Sequence, residues 1–353
     1  MARDPDPVVT PAVARERLRA QLLTGPRAAD PVAVVEHLLA VQAQDPRGFR
    51  LAVRARSTST TAADVERCLT DDRTLVVDTL CRGTLHLVRA QDHAWVHALT
   101  TPQLRTSNRR RLEQEGVSPA QAETGVRAIE AALRERGPLT RSQVRDLLDG
   151  AGVPTARQAF AHVVMAASLD GVCVRGPVVD GEHAFVHAEQ WLGQRPAVDR
   201  EQALGELARR YLAAHSPATV RDLAAWAGIT LGDARLGVET AGDDVELGHD
   251  GLLRAAGAPA PPPDLPAPVL LGPFDPVLHG WPDRAWVVGE HGQGIVTSNG
   301  LFRAVALVGG RAAATWRLAG GVLTRDPLPG VRLRAADARA LDADAARVVA
   351  YLG

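Results

Sequence analysis

Apolar residues recur at helical spacing near the start of the chain and then alternate with polar residues. The pattern predicts a helix over residues 11–24 and a second helix over PVAVVEHLLAVQAQ, the stretch that follows Asp30. A third predicted helix, TAADVERCLT, begins at Thr61. We expect Pro46 to end the second helix, because the residue before a proline avoids the helical conformation. The alternation in TLVVDTLCRGTLHLV predicts a hairpin that bends near Arg82–Gly83. Three helices followed by a hairpin is the order of a winged-helix unit.

The same order of elements recurs further along the chain. Helical patterns cover residues 119–136 and the stretches capped by Thr140 and Thr155, and two short strand patterns, GVCVRG and HAFVHA, follow them. A third series runs from REQALGELARRYLAAH through a helix after Ser216–Pro217 and a helix opened by Thr230 to VELG. The second helix of both later series contains the letters VRDL. We therefore expect one supersecondary unit used about three times, and not a solenoid of short repeats.

Composition changes in the last part of the chain. APAPPPDLPAP is a proline-rich linker, and glycine-rich, strand-like segments such as VLLGPF and AWVVGEH follow it. ALVGGRAAATW predicts a hairpin through Gly309–Gly310, and AADARALDADAARVVAYLG predicts a terminal helix. The predicted fold class is α+β, with tandem winged-helix units followed by a small C-terminal antiparallel β-barrel or sheet. The predicted segments are 1–115, a first winged-helix unit with a linking helix at 92–115; 116–198 and 199–257, the second and third units; 258–268, the linker; and 269–353, the β-rich domain.

Bulk composition is that of an ordinary globular protein, with 46% hydrophobic residues, 23% charged residues and a net charge of −1. No apolar run approaches the ~20 residues needed to cross a bilayer, and the first residues lack the features of a signal peptide. We therefore expect a cytoplasmic protein. Cys68, Cys81 and Cys173 are far apart, which argues against a disulfide framework or a four-cysteine metal site. We expect no metal and no cofactor.

The basic residues have one unusual property, since all 40 are arginine and the sequence contains no lysine. A Schiff base needs an amine with an accessible neutral form, and arginine stays protonated in proteins. Lysine-based lyase chemistry, pyridoxal phosphate enzymes and Walker-type phosphate binding are therefore disfavoured together. With a net charge near zero, a DNA-binding surface has to be a local arginine patch. The candidate is RTSNRRRLEQEG, with Arg105, Arg109, Arg110 and Arg111, although such a cluster can also be a solvated helix face.

Two motifs in the first predicted unit carry a specific resemblance. They are LLAVQAQDPRG, with Gln42 and Gln44, and LCRGTLHLV, with Arg82, Thr84 and His86. Together with the later FDPVLHGWPDR and RAAATWR, they resemble the bacterial winged-helix DNA glycosylase family over nearly the whole chain. The resemblance implies an enzyme that removes bulky alkyl adducts or unhooks crosslinks made by natural-product genotoxins. A Gln-apolar-Gln motif supplies the catalytic residues in one branch of that family, which implies that Gln42 and Gln44 are catalytic here.

The chemistry of glutamine limits what this motif can do. Glutamine is neither a general base nor a nucleophile at neutral pH, but its amide group can hold a water molecule. That is sufficient only for a good leaving group, such as a 7-alkylated guanine, which carries positive charge. We therefore expect a monofunctional hydrolase acting on cationic N7-alkylated purines in double-stranded DNA. Residues two apart on a helix point in nearly opposite directions, so Gln42 and Gln44 converge only where the predicted helix frays.

Each candidate residue also has a structural interpretation. The two glutamines can be a solvent-exposed pair, His86 can be a hydrogen-bonded histidine in a strand, and Asp45 can be either a helix-end residue or an acid that makes a water more basic. Arg82 and Thr84 can hold the hairpin turn or contact phosphate. We expect the tryptophans of the β-rich domain to be core residues; they are Trp281, Trp286 and Trp316.

A different class of protein also fits the predicted fold. Winged helices serve mostly in DNA binding without catalysis, so a transcriptional regulator is the alternative. A regulator usually dimerises and reads base edges with a recognition helix. Three units joined to a β-rich domain in one chain favour instead a monomer that binds a single lesion. The adduct removed, and the choice between housekeeping repair and self-resistance during antibiotic biosynthesis, stay open at this point.

Overall fold

The computed structural model describes residues 9–179, 181–261 and 263–353. Helices and strands both contribute, which confirms the mixed helix-and-sheet class. The helices are α1 Pro11–Ala20, α2 Pro31–Leu38, α3 Pro46–Arg56, α4 Ala62–Thr70, α5 Ala90–Thr100, α6 Pro102–Gln114, α7 Pro119–Arg136, α8 Arg141–Gly150, α9 Ala159–Leu169, α10 Ala188–Leu192, α11 Arg200–His215, α12 Val220–Ala227, α13 Leu231–Ala241, α14 Ala285–Val288, α15 Gly292–Ile295 and α16 Ala335–Leu352. The strands are β1 Val41–Gln42, β2 Leu75–Thr79, β3 Leu85–Arg89, β4 Cys173–Val179, β5 Glu182–His187, β6 Val245–Leu247, β7 Leu253–Ala255, β8 Val269–Leu271, β9 Val305–Val308, β10 Arg311–Ala319 and β11 Val322–Pro327.

The chain divides into two compact units, each built from discontinuous segments. Unit 1 comprises Met1–Val65, Leu204–Trp226 and Thr230–Gly353, and unit 2 comprises Glu66–Ala203 and Ala227–Ile229. These limits differ from the predicted segment boundaries, because the chain leaves unit 1 and returns to it. The division into three winged-helix units stays a prediction. No helix in the described ranges has both the length and the apolar character needed to cross a membrane.

Unit 2 contains an antiparallel sheet in the order β3–β2–β4–β5. The predicted hairpin is confirmed, since β2 pairs with β3 from Leu75 opposite Arg89 to Thr79 opposite Leu85. Apolar residues from the four helices α6 to α9 and from β4 and β5 form one core beside this sheet. Its most buried members include Leu133, Val144, Leu148, Ala159 and Val163. Burial of these side chains is the main stabilising contribution in the unit.

Two helix limits in unit 2 differ from the sequence predictions. Thr140 caps α8 as predicted, with a reciprocal bond from Gln143. Thr155 does not cap α9, which begins four residues later, because the Thr155 hydroxyl donates to Asp149. The predicted linking helix is two helices, α5 and α6, because Pro102 lacks the N–H that would continue the hydrogen-bond ladder of α5.

Unit 1 ends in a four-stranded antiparallel sheet in the order β11–β10–β9–β8. This confirms the predicted small C-terminal sheet. Gly309 and Gly310 both have positive φ, at 58° and 79°, and form the predicted hairpin turn between β9 and β10. The terminal helix α16 is confirmed, and its buried Asp344 accepts a hydrogen bond from the backbone N–H of Leu270 in β8.

The strand-like interpretation of AWVVGEH is wrong, because residues 285–288 form the short helix α14. Asp283 accepts a hydrogen bond from the backbone N–H of Ala285 and so fixes the first turn. The three tryptophans of this region are buried as predicted, with Trp281 at 2% exposure and Trp286 and Trp316 at 7%. The indole N–H of Trp316 donates to the carbonyl oxygen of Leu271 at 2.9 Å, which satisfies it inside the core.

Candidate active site

The two glutamines lie in a short non-helical segment between α2 and α3, and not at the end of a helix. α2 ends at Leu38, and Leu39 has a positive φ of 65°. Val41–Gln42 is strand β1, and Pro46 is the first residue of α3. The prediction that a helix runs through the glutamines to Pro46 is therefore wrong. The fixed φ and missing N–H of proline suit the first helical position, so Pro46 starts a helix here.

The non-helical backbone changes what the two glutamines can do. Gln42 ends strand β1 and Gln44 lies at a bend, so the pair does not stand two apart on a helix, where the side chains would point in nearly opposite directions. Gln42 is buried to 7% exposure, and its side chain makes no hydrogen bond to a described residue. Gln44 is exposed. The segment thus presents one largely buried glutamine and one exposed glutamine, two residues apart.

Asp45 caps the helix that follows the glutamines. Its Oδ1 accepts hydrogen bonds from the backbone N–H groups of Arg47 and Gly48, both at 2.8 Å. This satisfies two of the N–H groups that a helix leaves unpaired at its start. The other carboxylate oxygen, Oδ2, makes no hydrogen bond to a described residue. Asp45 can therefore cap α3 and still accept a hydrogen bond from a water molecule.

The rest of unit 1 fixes the position of α3 closely. A β-carbon at Gly48 would lie 2.4 Å from the carbonyl oxygen of Pro273, so only glycine fits at this approach. At the other end of α3, Arg56 is fully buried and donates two hydrogen bonds to Asp275, at 2.7 and 2.9 Å. Asp275 is the acidic residue of the FDPVLHGWPDR motif. That motif thus anchors the helix whose first turn follows the glutamines.

Arg82 and Thr84 shape the hairpin turn in unit 2. Arg82 lies in a 3-10 turn with a φ of 59° and a ψ of 11°. Gly228 packs so closely that a β-carbon there would be 2.9 Å from the backbone nitrogen of Arg82. The Thr84 hydroxyl donates to the carbonyl oxygen of Cys81 at 3.2 Å. These contacts give both residues a structural role, and their part in DNA contact stays a prediction.

His86 is a buried, neutral imidazole in β3. Its Nδ1 lies 2.9 Å from the carbonyl oxygen of Thr84, so Nδ1 carries the proton and donates, and Nε2 keeps a lone pair. Burial, and secondly the charge of Arg82, lower the pKa of His86 from 6.5 to about 3. A group with this pKa is a very weak base at neutral pH. His86 can therefore accept a hydrogen bond but is poorly suited to remove a proton.

A buried polar network in unit 2 escaped the sequence analysis. Asp78 on β2 accepts hydrogen bonds from Ser168 and from the backbone N–H of Thr79, and it pairs with His93 at 2.7 Å. Asp78, His93 and Ser168 are each less than 5% exposed. The signal was an acid inside the apolar stretch TLVVDT, where a buried charge requires partners. These residues fix α5 and α9 against the sheet.

The predicted arginine patch on α6 consists of two different pairs. Arg105 donates to the carbonyl oxygen of Leu169 at 2.9 Å, and Arg111 donates to Gln114 at 2.7 Å and to Gln158 at 3.0 Å. These two guanidinium groups stabilise unit 2. Arg109 and Arg110 are exposed, and their side chains make no hydrogen bond or ion pair with a described residue. Within the cluster they are the pair most available to an external anion.

Comparisons with known proteins identify the activity class. The family described as "DNA glycosylase AlkZ-like" matches residues 35–351, which is 317 of the 353 residues and includes every candidate site residue. The chain belongs to the AlkZ-like DNA glycosylase family. This confirms the resemblance seen in the glutamine and hairpin motifs, and it assigns the chain to enzymes that act on DNA.

One solved structure is similar to this AlkZ-like chain over almost its whole length. It is a Streptomyces sahachiroi DNA glycosylase, AlkZ, with a TM-score of 0.76 and 23% sequence identity. The alignment covers 96% of this chain and 95% of that one. A likeness at this identity establishes a shared fold. The comparison with curated protein sequences found no match.

Proposed function

We propose that this AlkZ-like chain is a monofunctional glycosylase that hydrolyses the N-glycosidic bond of cationic N7-alkylated purines in double-stranded DNA. Its substrates are bulky natural-product adducts or interstrand crosslinks, removed by a monomer either in housekeeping repair or in self-resistance to a genotoxin. The observation that carries the proposal is the state of Gln42. The residue is only 7% exposed, and its amide has no hydrogen-bond partner among the described residues, so the amide is available to a water molecule or to substrate.

The proposed reaction needs one water molecule and no covalent intermediate. The amides of Gln42 and Gln44 hold the water, with the amide oxygen accepting one of its protons in a hydrogen bond. The water oxygen forms a bond to C1′ of the deoxyribose as the bond from C1′ to the purine nitrogen breaks. The electron pair of that bond goes to the purine and neutralises its positive charge. The water loses a proton to solvent, which leaves a hydroxyl group on C1′ and a free alkylated base.

Protein side chains supply orientation in this scheme, and the substrate supplies the driving force. The positive charge on the base makes it a good leaving group, so the purine need not be protonated as it departs. His86 fits this absence of acid–base catalysis, because an imidazole with a pKa of about 3 neither donates nor accepts a full proton at neutral pH. Removal of one positioning dipole typically slows an enzyme by about 10²- to 10³-fold.

The absence of lysine supports the monofunctional assignment. A lyase step requires an amine that attacks the sugar carbon and forms a Schiff base, and the side chains of this sequence offer none. The product is therefore an intact strand that carries one abasic site. Such a strand breaks only when it is heated or treated with alkali, which distinguishes hydrolysis from lyase activity.

The test is single-turnover base release from a duplex with one 7-methylguanine, followed by strand cleavage after heating in alkali. Gln42→Ala and Gln44→Ala should each slow release by roughly 100- to 1000-fold with DNA affinity nearly unchanged. Gln293→Ala is the matched control, because Gln293 is an exposed residue of α15 in the same unit. Release by the double glutamine variant at the wild-type rate would contradict the assignment.

A further inference from the structure

A groove in unit 1 places three arginines beside the segment that carries the glutamines. The groove has a volume of 480 Å³, and its lining includes Arg47, Arg303 and Arg317. Arg47 lies in the first turn of α3, three residues after Gln44. Arg303 precedes β9, and Arg317 lies on β10. The fold therefore collects, at one surface, three cations from distant parts of the sequence.

The charges in this groove are not neutralised by the protein itself. The side chains of Arg47 and Arg303 are exposed and have no hydrogen-bond acceptor or ion pair among the described residues. Arg317 pairs with Asp326 at 3.1 Å, but the two side chains are 70% and 60% exposed, and such pairs contribute little to stability. The lining side chains thus carry three positive charges and one negative charge. A concave surface with this excess attracts anions.

The walls of the groove identify the class of anion. Leu318 and Leu352 line it together with the arginines, so the groove combines cationic donors with aliphatic surface. A sugar–phosphate backbone has the matching combination of anionic phosphates and apolar deoxyribose faces. We propose that this groove binds the sugar–phosphate backbone of the DNA strand beside the lesion, with Arg47 and Arg303 contacting phosphates. This inference rests on the proposed function, and contacts of this kind position a protein on DNA without reading its sequence.

The first test measures how the affinity for an undamaged duplex changes with salt concentration. Each phosphate contact contributes about 0.9 to the slope of log affinity against log salt, so Arg47→Gln with Arg303→Gln should lower the slope by about 1.8. Arg235→Gln with Arg339→Gln is the matched control, since both residues are exposed on helices of unit 1 outside the groove. An unchanged slope for the groove variant, or an equal fall in the control, would overturn the proposal.

A second variant should change the affinity for DNA in the opposite direction. Asp326→Asn removes the negative charge from the groove and frees the Arg317 guanidinium. Affinity for the undamaged duplex at low salt should then rise roughly two- to fivefold, a gain that a poorly folded protein cannot show. Unchanged or weaker affinity would contradict the assignment. Base release is measured separately: a wild-type protein that releases no base would refute the proposed function, whereas intact release with no slope change would refute only the groove.

Discussion

Replacing Asp45 with asparagine and with alanine separates two roles that a carboxylate can have beside the glutamines. Its Oδ1 caps α3 through two backbone N–H groups at 2.8 Å. Asparagine caps helices about as well as aspartate, whereas alanine cannot accept these bonds. Asparagine, however, has no negative charge with which to make a water more basic. The two variants therefore differ in capping, and both lack the charge.

We expect the cap to account for the effect of Asp45. Loss of an N-cap side chain costs about 1 kcal/mol, within a range of about 0.5 to 2 kcal/mol. Two donors lose their acceptor here, so Asp45→Ala should reduce the free energy of unfolding by an amount in the upper half of that range. Asp45→Asn should change it by only a few tenths of a kcal/mol. Because a cationic base leaves without acid–base help, Asp45→Asn should release 7-methylguanine within about threefold of the wild-type rate.

Two measurements check this prediction together. Urea unfolding gives the free energy for each variant, and single-turnover base release gives the rate at saturating enzyme. An Asp45→Asn variant with wild-type stability that releases the base as slowly as a glutamine variant would contradict this prediction. That result would show that the carboxylate acts on the attacking water through its charge. A stable Asp45→Ala variant would show instead that the cap contributes nothing.

Three other predictions concern the DNA surface, pH and the product. Arg109→Gln with Arg110→Gln should lower the slope of log affinity against log salt by about 1.8 with the preference for lesions unchanged, and an unchanged slope would identify a solvated helix face. Burial holds the pKa of His86 at about 3 against an ordinary 6.5, so unfolding takes up a proton between these values and stability falls as pH decreases through that window. His86→Gln should weaken the dependence of the unfolding free energy on pH between pH 6.5 and 3. A dependence as steep as that of the wild type would contradict the depressed pKa. Borohydride should trap no covalent complex with DNA, and a trapped complex that survives blocking of the N-terminus would exclude simple hydrolysis.

Local sequence signals predicted the elements that local chemistry determines. The hairpin of β2 and β3 followed from alternation over residues 74–88, and the β9–β10 turn followed from two adjacent glycines. Thr140 and Thr230 cap helices as their neighbours indicated. The helix predicted to end at Pro46 was wrong, because proline is equally compatible with the position after a helix and with the first position of one. The capping oxygen of Asp45 decides between these alternatives, and the letters alone do not reveal it.

The candidate site was only partly predictable. The resemblance of the motif identified Gln42 and Gln44 as candidates. The non-helical backbone and the burial of Gln42 are visible only in the folded structure. The groove arginines lie far apart in sequence and meet through tertiary packing, so no spacing pattern could have found them. Conversely, Arg105 and Arg111 looked available in sequence, yet local acceptors bind them. Pairing within the folded chain decides which arginines remain available to DNA.

In the proposed mechanism, a water held by glutamine amides suffices because the departing base is positively charged. The most direct measurement compares single-turnover release from two duplexes whose lesions differ in that charge. One contains 7-methylguanine, and the other contains its imidazole-ring-opened form, which is neutral and of nearly the same size. We predict release from the cationic lesion, at least about 100-fold faster than from the neutral one, a ratio equivalent to about 2.7 kcal/mol in the activation barrier. Equal rates for the two lesions would contradict the account, because the enzyme would then have to supply a proton that none of the assigned residues can donate.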